Sequence, residues 1–172
     1  PDLGETASTV SASNSLASGW TRGQSLTWGD GVWVWMGYHA STSYQYIKRS
    51  TDFATWTDVD VGVSGFWGFG AYGNDRFILI NNTGGVSNYI ESTDGGLTWS
   101  TGALGVSRQW IHGPAYGAGR WMLPAYGTTS VRTSTNDGGS WSDVTLPSAP
   151  GWITYAGPVW VTKSTSTGDV HT

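Results

Sequence analysis

The stretch ESTDGGLTWS (Glu91–Ser100) gathers a Ser, an acid, two glycines and a Trp into a few positions. Taken alone, it reads equally well as part of an active site or as a tight turn. Two similar stretches decide between these, RSTDFATWTD at Arg49–Asp58 and TSTNDGGSWSD at Thr133–Asp143. A pattern that recurs along one chain belongs to the scaffold before it belongs to chemistry. The Trp residues that end the three stretches, Trp56, Trp99 and Trp141, lie 43 and 42 residues apart, and Trp20 precedes the first by 36. A period in the low forties is what one four-stranded propeller blade requires.

Within each period the elements recur in one order. A small strand ends in an aromatic–Gly pair, in TWGDG (27–31), AYGND (71–75) and AYGAG (115–119), with the looser TYAGP at 154–158. A dense apolar run follows: VWVWM (32–36), FILI (77–80), WML (121–123) and VWV (159–161). Continuous runs of this kind suit strands covered on both faces, the environment of a blade held between two others. YQYIKRS (44–50) and SNYIES (87–92) lead into the turns as third strands, and the fourth begins at the closing Trp. The fold expected is all-β, a small propeller of about four four-stranded antiparallel blades over residues 15–172. Residues 1–14, polar and turn-rich, read as an arm or linker. Pairing of Ser15–Trp20 beside Gly168–Thr172 would close the ring and hide its edges; the alternative is a piece of a longer propeller.

Composition agrees. The 172 residues include 26 Gly, 12 Trp and 8 Tyr with only 12% charged residues, a strand-and-turn profile. A net charge of −4 gives no electrostatic reason to expect nucleic acid or an anionic membrane as partner. With no Cys, disulfides and thiolate metal sites are excluded. No apolar run is long enough to span a bilayer as a helix.

The three turns resemble the Asp-box, or bacterial neuraminidase repeat, of sialidase-like β-propellers, whose pattern is Ser-x-Asp-x-Gly-x-Thr-Trp. STDGGLTW (92–99) matches at every defined position, and STDFATW (50–56) is one residue shorter and lacks the Gly. STNDGGSW (134–141) is read with one inserted residue and Ser140 for Thr, which makes Asp137 its acid. The resemblance implies a peripheral turn in which Asp52, Asp94 and Asp137 accept amide hydrogen bonds while Trp56, Trp99 and Trp141 plug into the blade. The physics suits that role: a short acceptor, glycine at positive φ and a large aromatic anchor.

Sialidases of this family clamp a carboxylate with three arginines and carry a Tyr–Glu nucleophile pair and an acid/base Asp. This chain has six Arg, of which Arg76 and Arg120 repeat as scaffold and only Arg22 and Arg108 sit in blade-to-blade connections. Glu5 falls in the arm and Glu91 beside a turn, so no nucleophile pair is legible. Asp58 and Asp143 repeat after their turns, and Asp60 alone lies in a connection without a counterpart, short of the two carboxylates a glycosidase needs. His39, His112 and His171 share no metal-like spacing, and no cofactor or metal is expected.

Aromatics remain. GFWGFG (65–70), RQWIHG (108–113) and PGWITY (150–155) place Trp67, Trp110 and Trp152 in quasi-equivalent connections. On one propeller face they would present flat surfaces for pyranose rings, with Arg108, Gln109 and His112 hydrogen-bonding hydroxyls. The competing reading makes these Trp residues caps of the inter-blade core. The expectation is a non-enzymatic structural or recognition module, similar to repeats of phage tail, fibre or decoration proteins and bacterial surface adhesins. It would be extracellular or on a virion surface, would bind surface glycans, and would attach to neighbouring proteins through residues 1–14, with homo-oligomers open. The alternatives are a fragment of a sialidase-like glycoside hydrolase and a soluble propeller lectin.

Overall fold

A computed structural model describes residues 20–39, 45–62, 67–81, 88–110, 112–165, 168 and 170–171. These residues are all strand and turn. Blade 1 holds β1 (Trp20–Gly29), β2 (Val32–His39), β3 (Gln45–Ser50) and β4 (Thr57–Val59). Blade 2 holds β5 (Trp67–Gly73), β6 (Arg76–Asn81), β7 (Asn88–Ser92) and β8 (Ser100–Ala103). Blade 3 holds β9 (Ala115–Gly117), β10 (Arg120–Pro124), β11 (Ser130–Ser134) and β12 (Ser142–Thr145). Blade 4 holds β13 (Pro150–Ala156), β14 (Val159–Ser164) and β15 (Val170–His171). Every blade is a simple antiparallel meander, four-stranded in the first three and three-stranded in the last among the described residues. The chain is a β-propeller fold.

The apolar runs form the second strands because each is buried on both sides. In β6, Phe77 through Asn81 are all buried, and alternate side chains go to opposite faces. Phe77 and Leu79 join Val32, Val34, Met36 and Ile47 of blade 1 in one cluster. Ile78 and Ile80 join Trp121 and Leu123 of blade 3 in a second, and Met122 and Val131 meet Ile153 of blade 4 in a third. The core is thus three junctions between four blades. The first strands β1, β5, β9 and β13 neighbour one another in that order, as innermost strands do.

A glycine-and-aromatic contact repeats at each junction. The ring of Tyr72 lies on Gly29, that of Tyr116 on Gly73 and that of Tyr155 on Gly117. A β-carbon at these glycines would fall 1.9, 2.3 and 2.1 Å from the nearest atom of the respective tyrosine. The aromatic–Gly pairs of the sequence are therefore an interlock. Each Tyr is the knob of its own blade, and Gly29, Gly73 and Gly117 are the sockets of blades 1, 2 and 3.

One expectation about closure is corrected. Trp20 opens β1 and pairs with His39, so it belongs to the first strand of blade 1 and is not a fourth strand for blade 4. Ser15–Gly19, like the arm 1–14, lie outside the described residues. Among the described residues, β15 pairs with β14 alone.

Candidate functional site

The recurring turns hold three of the acids, Asp52, Asp94 and Asp137. In the second turn Asp94 Oδ1 accepts the amides of Leu97 (3.1 Å) and Thr98 (2.9 Å), and Oδ2 accepts the Thr98 hydroxyl at 2.5 Å. These bonds, the Thr98 hydroxyl foremost, pull the Asp94 pKa to about 2. In the first turn Asp52 Oδ1 accepts the amides of Thr55 (2.7 Å) and Ala54 (2.9 Å), which bring its pKa to about 2. Trp56 and Trp99 donate from Nε1 to the carbonyls of Phe53 and Gly96. Trp99 and Trp141 pack on the first and second core clusters.

The third turn corrects the sequence reading. Asn136, not Asp137, holds the acceptor position, taking the Ser140 amide at 2.9 Å on its Oδ1. The turn contains no insertion: Ser134 Oγ receives the Gly138 amide just as Ser92 Oγ receives that of Gly96, both at 2.9 Å. Asp137 falls where the second turn has Gly95, with φ of 58° against 69°. An Asn amide oxygen replaces a carboxylate oxygen here, and Asp adopts the left-handed region more readily than most residues.

The turns also fasten blade to blade. Arg49 Nε donates to the Gly95 carbonyl at 2.6 Å, Tyr89 donates to the Gly138 carbonyl at 2.9 Å, and Arg76 Nη1 donates to the Asp137 carbonyl at 3.0 Å. Asn74 Nδ2 donates to the Asp137 carboxylate at 2.7 Å, while Arg76 also pairs with Glu91 at 2.7 Å.

The six candidate ligand residues separate. Tyr72, Tyr116 and Tyr155 pair across their hairpins with Phe77, Trp121 and Trp160 and so mark equivalent positions. Counted back from these, Trp67, Trp110 and Trp152 lie five, six and three residues away, so they are not equivalent. Trp110 is 0% exposed in the cluster of Ile78, Ile80, Tyr89, Trp121 and Leu123, which removes it as a stacking surface. Arg108 forms a fork on Asp143, Nη1 to Oδ1 at 3.0 Å and Nη2 to Oδ2 at 2.8 Å. Asp143 lies on β12, the last strand of blade 3, so this guanidinium is spent away from the inner strands; with Arg132, it lowers the Asp143 pKa. The Trp67 side chain lies outside what the structure describes.

Gln109, His112 and Trp152 remain, the first two in the connection before β9 and the third in β13. Gln109 has an exposed side chain, and its carbonyl accepts the Tyr126 amide at 3.0 Å. His112 lies against Gly151 and stacks obliquely on Phe69 at 6.4 Å between ring centres, bridging blades 2 and 4. Burial pushes its pKa below the ordinary imidazole range, so the ring is neutral at pH 7, with one donor and one acceptor nitrogen. Trp152 follows Gly151 and is 42% exposed. A half-exposed indole, a neutral imidazole and an exposed primary amide are each groups that suit a polyhydroxylated ring. Phe69 and Gly151, which seat His112, were not singled out in sequence; the only signal for them was their place relative to the Tyr positions.

No family model matches the chain, and no curated protein sequence matches it. Solved structures do match in fold. Virginiamycin B lyase from Staphylococcus aureus superposes with a TM-score of 0.65 at 14% identity, covering 81% of this chain and 47% of that one. YCF48 bound to D1 peptide gives 0.58 at 10%, covering 89% and 52%. The phage phi92 endosialidase gives 0.58 at 12%, covering 83% and 30%. The chain spans about half or less of the length of these proteins. They include enzymes and a peptide-binding protein on one fold, so the likeness establishes the propeller alone.

Proposed function

We propose that this chain is a non-enzymatic recognition module in which Trp152, with His112 and Gln109, takes a saccharide. The observation that carries this is the employment of the acids. Of the nine acids among the described residues, Asp52, Asp94, Asp58, Asp60, Asp75, Glu91, Asp137 and Asp143 each accept a hydrogen bond within the scaffold, and the ninth, Asp30, is exposed in the β1–β2 turn. Carboxylates held by scaffold hydrogen bonds are poorly placed as general acids or nucleophiles, and for Asp52, Asp94 and Asp143 those bonds also favour the charged form. The exposed indole of Trp152 is instead the binding group. The low charge, the Ser/Thr/Gly richness and the polar residues 1–14 support a place on a virion or cell surface, with the arm attaching to neighbouring proteins.

The test is a titration with soluble mono- and oligosaccharides followed by tryptophan fluorescence, beside a turnover assay on aryl sialosides and related aryl glycosides. Saccharide-dependent quenching that Trp152→Ala abolishes, with no aglycone released, is expected. Release of aglycone would instead favour the glycoside hydrolase reading. Quenching unchanged in Trp152→Ala would remove Trp152 as the binding group.

A further inference from the structure

The sequence holds three Asp-Gly pairs, Asp30–Gly31, Asp94–Gly95 and Asp137–Gly138. An aspartate before glycine can cyclise, because no β-carbon keeps the following amide nitrogen away from the side-chain carboxyl carbon. The fold treats the three pairs differently. Both oxygens of Asp94 are occupied by Thr98, and Ser92 Oγ donates to Oδ1 at 2.8 Å. These bonds, that of the Thr98 hydroxyl first, hold its pKa at about 2, so the carboxyl stays in the ionised form with no hydroxyl to lose. The Asp137 carboxylate is held by Asn74 at 2.7 Å and by Arg76 at 3.7 Å. Its amide nucleophile is occupied as well, since Gly138 donates to Ser134 Oγ at 2.9 Å.

Asp30–Gly31 has none of these restraints. Gly29 pairs with Val32, so Asp30 and Gly31 are the two central residues of the β1–β2 hairpin, at φ of 52° and 70°. Positive angles at both positions are those of a type I′ turn, whose second central amide lies outside the ladder. Both residues are exposed, and a β-carbon on Gly31 would meet nothing within 4 Å. Among the described residues the Asp30 carboxylate accepts no hydrogen bond and joins no ion pair. Burial, and then the Asp30 charge, raises the pKa of Tyr72, which sets this carboxylate near the knob seated on Gly29.

We infer that Asp30–Gly31 is a site of covalent isomerisation, at which aspartate converts through a cyclic succinimide to isoaspartate. The Gly31 nitrogen attacks Cγ of the protonated Asp30 carboxyl group. A C–N bond forms, the amide proton and the carboxyl hydroxyl depart, and one water is released. Water then adds to either ring carbonyl and breaks its bond to nitrogen. Opening at Cγ restores aspartate; opening at the main-chain carbonyl leaves the chain running through the side chain, with a free α-carboxylate. No oxidant or cofactor is consumed and the mass is unchanged. The product has one more methylene in a two-residue turn beside the Gly29 socket, and so loosens the interlock of blades 1 and 2.

The test ages the whole chain at mildly acidic pH, folded in one sample and unfolded in urea in another. Isoaspartate is located by peptide mapping, and by methyl transfer from S-adenosylmethionine with an isoaspartate-specific carboxyl methyltransferase. In urea the three pairs should react at comparable rates. In the folded chain Asp30–Gly31 should exceed the other two by about tenfold or more, the factor that giving up one charge-assisted hydrogen bond imposes on a rate. Asp30→Asn, which keeps a pair that type I′ turns favour, should gain the mass of one deamidation faster than Asp94→Asn. The isoaspartyl form, once separated, should unfold at lower urea than the parent. Equal accumulation at the three pairs of the folded chain, or least at Asp30, would overturn the inference. An unchanged urea midpoint would overturn the link to the interlock.

Discussion

The internal junctions and the outer face of blade 1 are made from the same repeat, yet they differ in what surrounds it. Phe77 and Trp121 are 0% exposed, while Trp33 at the equivalent position of β2 is half-buried. The repeat determines where an aromatic points. Only the next blade determines whether it leaves water, so identical residue types contribute differently to stability.

Truncating the buried member of the set should have the largest effect. Trp121→Ala is expected to lower unfolding free energy by about 3–5 kcal/mol, through lost transfer energy and the cavity left between blades 2 and 3. Trp33→Ala should cost about 1–2 kcal/mol, in proportion to its partial burial. Urea denaturation of both variants checks this, and equal losses would mean that the blade 1 face is covered in the native protein.

A smaller effect tests the interlock. Gly73→Ala drives a methyl into the Tyr116 ring and is expected to destabilise by about 1–3 kcal/mol, as overpacking does. Ala156→Gly, at the matching place in blade 4, meets no ring and should cost no more than about 1 kcal/mol of added chain entropy. Comparable losses would break the distinction between an occupied and an empty socket.

The smallest effect concerns the turns. Asp52 and Asp94 titrate near 2 when folded, against about 3.9 for an aspartate in an unfolded chain. Their contribution is therefore complete above about pH 4 and is lost as pH falls through about 2. Both are solvent-exposed, so the step is shallow. Asp94→Asn should flatten part of it and cost less than Asp94→Ala, since Asn136 already serves in the third turn. Denaturation midpoints measured across that acid range would show it; a step unchanged in Asp94→Asn would place the titrating group elsewhere.

Much of this was legible in the sequence for local reasons. The apolar runs, the aromatic–Gly pairs and the Ser-to-Trp turns each owe their form to neighbours within a few residues. The assignment of Asp137 failed although the information was present: Ser134 to Trp141 is the same length as Ser92 to Trp99, which leaves no room for an insertion. Trp110 failed for a different reason. Its distance of six residues from Tyr116 became meaningful only once strand pairing identified Tyr116 as the equivalent of Tyr72 and Tyr155.

By itself the sequence determined the period, the order of strands and the chemistry of the turns, because hydrogen bonds and backbone preferences over a few residues suffice to build a blade. The tertiary structure alone decided which aromatics are core and which arginines are spent. Those outcomes depend on contacts between blades some forty residues apart in the chain, where burial is a property of the pair and not of either sequence segment.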